Sequence, residues 1–174
     1  RDLHSFPTRR SSDLSLQTDV GSLQTDVDKL KLLQNSITVS ISSDTTTSVT
    51  SAYSSVDLNF NTEIAKTGTL LTFESGKIKI GKGITKIIAS TKVQTQGDNS
   101  TWGINILKNG SAIASSFEGN QGAGWCQLAI TPFEISVTEN DLISVNIYHN
   151  VANSTKTIKS YQGGGTYLTV QVIE

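Results

Sequence analysis

The sequence predicts an all-β domain, an antiparallel sandwich or barrel of about nine or ten strands, preceded by a short coiled-coil helix. Three observations lead to this fold class. Apolar residues recur at heptad spacing between residues 15 and 37, runs with a period of two dominate from Val56 onward, and an Asn109-Gly110 turn separates two such runs. Heptads are typical of coiled coils, whereas a period of two places alternate side chains on opposite faces of a strand.

Residues 1 to 14 read RDLHSFPTRRSSDL and match, at every position, the translation of a common sequencing-library adapter. We therefore expect an artefactual adapter-derived segment, a gene fragment of environmental origin and a missing natural N-terminus. The alternative is a short basic leader peptide, but the segment lacks the apolar core of a secretion signal. The absence of Met agrees with a truncated start.

Composition excludes several classes of protein. The 174 residues carry a net charge of −1 and only 17% are charged, which argues against a surface for nucleic acids or anionic membranes. No apolar run reaches the length of about eighteen residues that a membrane span needs. Cys126 is the only cysteine, so no intrachain disulfide framework is expected. Abundant Ser, Thr, Asn and Gly favour the β-rich surface of an extracellular protein or a virion.

The segment from 15 to 37 repeats the hexapeptide SLQTDV seven residues after its first occurrence. Apolar residues here alternate steps of four and three, as the a and d positions of a coiled coil do. The predicted seam consists of Leu16, Val20, Leu23, Val27, Leu30 and Ile37, with Gln34 at the remaining a position. Asp26 at g and Lys31 at e are placed to pair between parallel neighbouring chains.

The heptads alone leave the number of chains open. Val at a with Leu at d favours dimers, whereas Leu33 at g widens the apolar stripe and favours a higher order. Two other interpretations stay open: an amphipathic helix docked on the chain's own domain, and a repeat created by an assembly error beside the adapter junction. Because a lone helix of about three heptads is marginal in water, its seam needs a partner surface.

Residues 38 to 55 are mostly Ser and Thr and predict an extended linker or an edge strand. The head follows at 56 to 174, where we find no helical period. Alternating apolar residues are expected to share a face in four runs: Val56, Leu58, Phe60 and Ile64; Phe133, Ile135 and Val137; Ile143, Val145 and Ile147; Leu168, Val170 and Val172. Such alternation is typical of antiparallel sheets. The run GITKIIASTKV predicts a further strand whose phase stays undetermined.

The hairpin WGINILKNGSAIASSF carries the strongest local signal. Asn-Gly is the preferred pair for a two-residue hairpin turn. An uninterrupted ladder from that turn would place Ile106 opposite Ile113 and Trp102 opposite Phe117, all on one apolar face. We therefore expect both aromatic side chains to be buried.

Four stretches in this order resemble a known family: FESGKIKIGKGITKIIASTKV, ILKNGSAIASS, ISVTENDLISVNIY and GTYLTVQVIE. From about residue 67 to 174 the chain resembles the jelly-roll heads of the tumour-necrosis-factor and complement-component type. It looks closest to the versions at bacteriophage tail-fibre tips and in bacterial collagen-like proteins. The resemblance implies an antiparallel jelly-roll sandwich that forms a homotrimer, often behind a trimeric stalk. No Gly-X-Y tract is present, which counts against the collagen-like version.

Residues with catalytic or metal-binding chemistry are sparse. His149 falls at a strand end and predicts a surface position, while Cys126 alternates with apolar residues and predicts a small core side chain. Asp98 and Asn99 lie in a loop, but the twelve-residue calcium template is not met. The glycine-rich stretch 118 to 124 is not followed by a helical pattern and cannot form a phosphate loop. We therefore expect no cofactor and no metal site.

The remaining functional signal is side chains in loops on a rigid scaffold. Asn120, Trp125, Asn153 and Tyr161 combine aromatic and amide groups in glycine- or asparagine-rich stretches, and they are the candidate ligand-binding residues. An aromatic ring can stack on a sugar whose hydroxyls the amides bind. The competing interpretation packs Trp125 in a subunit interface of the trimer.

These observations lead to three functional hypotheses. The first is a non-catalytic trimeric adhesion head of a phage tail fibre or baseplate, which recognises a host surface glycan or protein. The second is a bacterial surface or spore-coat structural protein whose head drives trimerisation. The third is a glycan-cleaving enzyme, which the lack of a supported pair of acids disfavours. The first two place the protein on the virion tail or in the extracellular space, including the cell surface.

Overall fold

A computed structural model describes residues 11–49, 51, 54–97, 101–118, 125–149, 154–160 and 165–174. In these ranges one helix precedes thirteen strands. The elements in chain order are α1 Ser11–Leu33, β1 Ser36–Ser40, β2 Thr45–Val49, β3 Ser55–Asp57, β4 Thr62–Thr67, β5 Leu71–Glu74, β6 Lys77–Ile80, β7 Lys86–Gly97, β8 Trp102–Lys108, β9 Ser111–Glu118, β10 Trp125–Ser136, β11 Leu142–His149, β12 Ser154–Ile158 and β13 Tyr167–Val172.

The strands form two antiparallel sheets. The first has the pairing order β2-β12-β7-β13-β1-β4. The long strand β7 pairs with β13 and then β12 along one edge, and with β10 along its other edge. The second runs in the order β5-β6-β11-β8-β9, with β3 also paired to β11. The fold is thus an antiparallel jelly-roll sandwich behind an N-terminal helix, and the predicted fold class is confirmed.

One apolar core fills the space between the two sheets, and all four predicted alternations contribute to it, three of them with every residue. Ile143, Val145 and Ile147 are fully buried, as are the alternating residues of β13, and the run beginning at Phe133 also faces the core. In the fourth run, Leu58 and Phe60 are buried, but Ile64 is exposed. That part of the prediction was wrong because β3 ends at Asp57 and Ile64 belongs to a separate strand, β4.

The β8–β9 hairpin has the predicted turn but a different register. Asn109 and Gly110 both have positive φ, as a two-residue turn requires. Beyond the turn, however, Leu107 pairs with Ala112 and Ile106 with Ala114, so Ile113 is an extra residue in β9. This bulge turns the rest of β9 over, because a shift of one residue exchanges the two faces of a strand.

The bulge overturns the predicted aromatic pair. Trp102 pairs with Glu118, whereas Phe117 pairs with Gly103. Trp102 is buried, with 1% of its surface exposed, and its indole N–H donates to the Sγ of Cys126 at 3.1 Å. Phe117 lies on the opposite face of the sheet, where 63% of its surface is exposed.

The helix ends at Leu33, before the last predicted seam position. Ile37 was predicted to lie in the seam, but it belongs to β1, pairs with Val170 and is 1% exposed in the core. The prediction was wrong because Ile37 also begins a period-two run with Val39 and Ile41, and all three enter the sandwich. Burying Ile37, Val39 and Ile41 between the two sheets stabilises the fold more than one additional heptad position would.

Asn35 terminates the helix and attaches it to the head. Its side-chain amide donates to the carbonyls of Lys31 and Leu32, both at 3.0 Å, and its backbone amide donates to the same Leu32 carbonyl at 3.1 Å. These bonds satisfy carbonyls of the last helical turn. Asn35 Oδ1 accepts from the amide of Leu70 at 2.9 Å, and its carbonyl accepts from the amide of Val172 at 2.9 Å. One buried residue, through its side chain and its backbone carbonyl, therefore couples the last turn of α1 to two parts of the sandwich.

We expect Gly68→Ala to destabilise the fold more than Gly110→Ala. Both glycines have positive φ, so alanine meets a similar backbone penalty of roughly 1 kcal/mol at each. At Gly68 the new Cβ would lie 2.0 Å from the Oδ1 of Asn35, which its hydrogen bonds hold in place, whereas nothing lies within 4 Å at Gly110. Chemical denaturation of both variants measures the difference. Equal losses would contradict the rigid placement of Asn35.

Candidate assembly and binding surfaces

The first candidate surface is the seam of α1, defined here as Leu16, Val20, Leu23, Val27 and Leu30. All five side chains are exposed in the single chain, with Leu16 at 66% and Val27 at 42%. The helix of 23 residues extends roughly 35 Å, and of its apolar side chains Leu32 packs against the core. An apolar stripe of this length facing solvent needs a covering surface, and the chain's own head does not provide one for these residues.

The last turn of α1 borders a groove on the head. The groove has a volume of about 460 Å³ and is lined by residues that include Leu33, Gly83 and Ile173. The helical residues that line it include Leu32 at f and Leu33 at g, and none of the five seam residues is among them.

The structure does not bring the predicted ligand-binding residues together. Asn120, Asn153 and Tyr161 lie outside the described residues. Trp125 is the first residue of β10, where its backbone pairs with Gln96, but its side chain also lies outside the description. Those four candidates stay predictions.

Cys126 has the predicted place in the core. It is 8% exposed and shares its face of β10 with Leu128 and Ile130. His149 is the last residue of β11, as expected for a strand end. Among the described residues, no three His, Cys, Asp or Glu side chains are grouped to hold a metal ion. In the same part of the chain, no helix has the length and apolar character needed to cross a membrane.

The second candidate surface is the outer face of the second sheet, which sequence reasoning missed. Phe117 of β9, Gly103 of β8 and Tyr148 of β11 lie side by side in register. The next row on the same face consists of Ser115, Asn105, Asn146 and Asp57, which lie on four adjacent strands. We name these seven residues the outer-face platform. On β8 and β11 these residues alternate in the sequence with the buried apolar residues of the same strands. All seven become neighbours only when the strands pair in the correct register.

A polar cluster joins two turns at the opposite end of that sheet. The side-chain amide of Asn109 donates to Asp141 Oδ1 at 2.6 Å, and the backbone amide of Thr138 donates to Asp141 Oδ2 at 2.9 Å. Asn109 Oδ1 in turn accepts from the amide of Leu142 at 2.8 Å. Burial raises the pKa of the Asp141 carboxyl, but these hydrogen bonds outweigh it and hold the pKa below its ordinary value.

We expect this carboxylate to make the fold sensitive to acid. Because the folded pKa of Asp141 is lowered, its contribution is fully present above the ordinary value of 3.8 and is lost as pH falls through the folded pKa. Asp141→Asn should lower the thermal midpoint at neutral pH and flatten its decline between about pH 5 and pH 2. Glu139→Gln, in the same turn and exposed, is the matched control and should keep the parental profile. Identical profiles for Asp141→Asn and the parent would contradict this role.

Comparison with known proteins places the fold. No protein-family model matches the sequence, and no curated protein matches it significantly. Solved structures do match. Murine APRIL, at pH 5.0, aligns with a TM-score of 0.63 and 13% identity over 80% of this chain and 98% of that chain. The globular domain of the zebrafish complement 1qA protein aligns with a TM-score of 0.56 and 8% identity over 80% and 98%.

The Eiger TNF of S. frugiperda aligns with a TM-score of 0.51 and 5% identity, over 80% of this chain and 91% of that chain. At these identities the likeness concerns the path of the backbone. The chain therefore has the jelly-roll fold of the TNF-like and C1q-like heads.

Proposed function

We propose that the chain forms a parallel homotrimer in which α1 is the stalk and the jelly-roll domain is a receptor-binding head. The observation that carries this proposal is the exposed seam of α1, which is joined to the head through the hydrogen bonds of Asn35. A stalk that pairs with copies of itself holds the heads in parallel. Several heads bound to one surface raise avidity by effective concentration, even where each site is weak.

Three chains are favoured over two by the head. The a and d residues alone are compatible with a dimer. The resemblance to TNF-like and complement-like heads implies a trimer, and the fold likeness to murine APRIL and zebrafish complement 1qA supports the same architecture. The apolar groove at the foot of α1 offers surface for a neighbouring chain at the point where stalk and head meet.

The head is proposed to be non-catalytic. The described residues offer no grouped metal ligands, and Cys126 is buried in the core beside Trp102. Exposed residues on the surface of a rigid sandwich suit the binding of a ligand better than catalysis of a reaction.

We propose further that the protein is the host-recognition head of a phage tail fibre or baseplate, located on the virion tail, and that its target is a host surface glycan or protein. The basis is the resemblance of the head strands to tail-fibre tips. Recovery of the complete gene with its neighbours tests this origin. Flanking phage genes support it, whereas a secretion signal or a Gly-X-Y tract upstream indicates a bacterial surface or spore-coat protein.

Two measurements on the purified chain test the proposed assembly and role. Sedimentation equilibrium should return three times the chain mass of 18.6 kDa, and the protein should adhere to cells of the source community. A monomer at micromolar concentration would contradict the assembly. A trimer that adheres to none of the cells would contradict the receptor-binding role.

A further inference from the structure

We propose that the outer-face platform is a binding site for a neutral saccharide, with the sugar ring on Phe117 and Tyr148 and its hydroxyls on the polar row. The inference rests on the proposed receptor-binding function and names the ligand class and the site. It places recognition on strands of the second sheet.

The aromatic row is shaped by Gly103. A Cβ at this position would lie 2.4 Å from both Cζ and Oη of Tyr148, so the tyrosine ring lies flat across the bare backbone of β8. Its hydroxyl end therefore points toward β9, where Phe117 pairs with Gly103 and is exposed. The two rings come from strands roughly 10 Å apart, with no side chain between them. Gly103 is a positioning residue for this arrangement.

The polar row is already ordered by its own hydrogen bonds. Ser115 Oγ donates to Asn105 Oδ1 at 2.6 Å, and Asn105 Nδ2 donates to Asn146 Oδ1 at 2.8 Å. These two hydrogen bonds set the orientation of both amides. Asn105 is partly exposed and keeps one N–H of its amide for a ligand, whereas Asn146 is only 7% exposed and serves to position Asn105. Asp57 follows Asn146 in the row and offers carboxylate oxygens as acceptors.

The spacing and charge of the two rows fit a sugar. They lie two residues apart along the strands, roughly 7 Å, so one ligand contacts both. A saccharide presents an apolar C–H face to aromatic rings and a rim of hydroxyls to amides and carboxylates. Asp57 is the only charged residue of the platform, and its carboxylate lies 3.9 Å from Lys77 Nζ. The platform therefore favours a neutral ligand over an anionic one.

The proposed test measures retention of the full chain on immobilised dextran, mannan and galactan, with alginate as the anionic comparison. The parent should bind at least one of the neutral polysaccharides more strongly than alginate. Phe117→Ala removes an exposed ring and leaves the core intact. Gly103→Ala adds one methyl group at a position with ordinary backbone geometry and displaces the tyrosine ring. Each should weaken binding by about tenfold or more, which corresponds to ~1.4 kcal/mol.

Ile64→Ala is the matched control, since Ile64 is an exposed apolar residue of the first sheet, and it should bind as the parent does. Retention on none of the three neutral polysaccharides would overturn the inference, as would equal binding by Phe117→Ala, Gly103→Ala and the parent. A smaller mass for Phe117→Ala in sedimentation would also overturn it, since Phe117 would then lie between copies of the chain. A trimer that adheres to cells but ignores these polysaccharides leaves the proposed function standing and refutes only this site.

Discussion

Trp102→Ala is expected to lower the free energy of unfolding by about 3 to 5 kcal/mol, the usual cost of truncating a large aromatic residue in a packed core. Among the described residues Trp102 is the largest fully buried side chain, and it belongs to the apolar core that residues of both sheets form. The loss combines the buried apolar area, the cavity left behind and the hydrogen bond from the indole N–H to Cys126. Denaturant titration at a fixed chain concentration measures it, because the stability of an oligomer depends on concentration.

Phe117→Ala is the matched control, because Phe117 lies in the strand paired with β8 but is exposed. Its substitution should change stability by no more than about 0.5 kcal/mol, as is usual for surface positions. The uninterrupted register predicted from the hairpin sequence would require a large loss for both aromatics. Comparable losses would therefore refute the bulge at Ile113.

Leu23→Asp is expected to convert the proposed trimer into monomers. Leu23 occupies a central d position of the seam, and three copies of the substitution would place three carboxylates in one layer of the coil. Desolvation and mutual repulsion of these charges oppose association. Sedimentation equilibrium should then return a single chain mass of 18.6 kDa.

Thr25→Asp is the control for the seam substitution. Thr25 lies at the f position, on the side of the helix away from the seam, and is exposed. It adds the same charge to the same turn of α1 and should leave the trimer intact. If Leu23→Asp also stays trimeric, the heads hold the assembly together and the seam does not.

The predictable parts of the fold are those in which one local pattern acts alone. Period-two alternation predicts the buried faces of β11 and β13, and Asn109-Gly110 predicts the hairpin turn. Where two patterns overlap, the sequence is ambiguous. Ile37 satisfies both the heptad and the alternation with Val39 and Ile41, and burial between two sheets decides in favour of the strand.

The outer-face platform could not be predicted because its residues belong to four separate strands. Ser115, Asn105, Asn146 and Asp57 align only when β9, β8, β11 and β3 pair in their observed register. An error of one residue in β9 moves Phe117 from the outer face to the core. The hairpin sequence therefore predicts the turn correctly but assigns the wrong residues of β9 to the core face.

The sequence by itself determined the fold class, the heptad spacing of the helix and the apolar alternation of the strands, because each of these is a periodic property of neighbouring residues. Tertiary structure decided the end of the helix at Leu33, the bulge at Ile113 and the faces of Trp102 and Phe117. These features depend on which distant strand packs against a residue and on the hydrogen bonds available there. A periodic pattern of neighbouring residues cannot predict such contacts, because they form only when the two sheets pack together around the core.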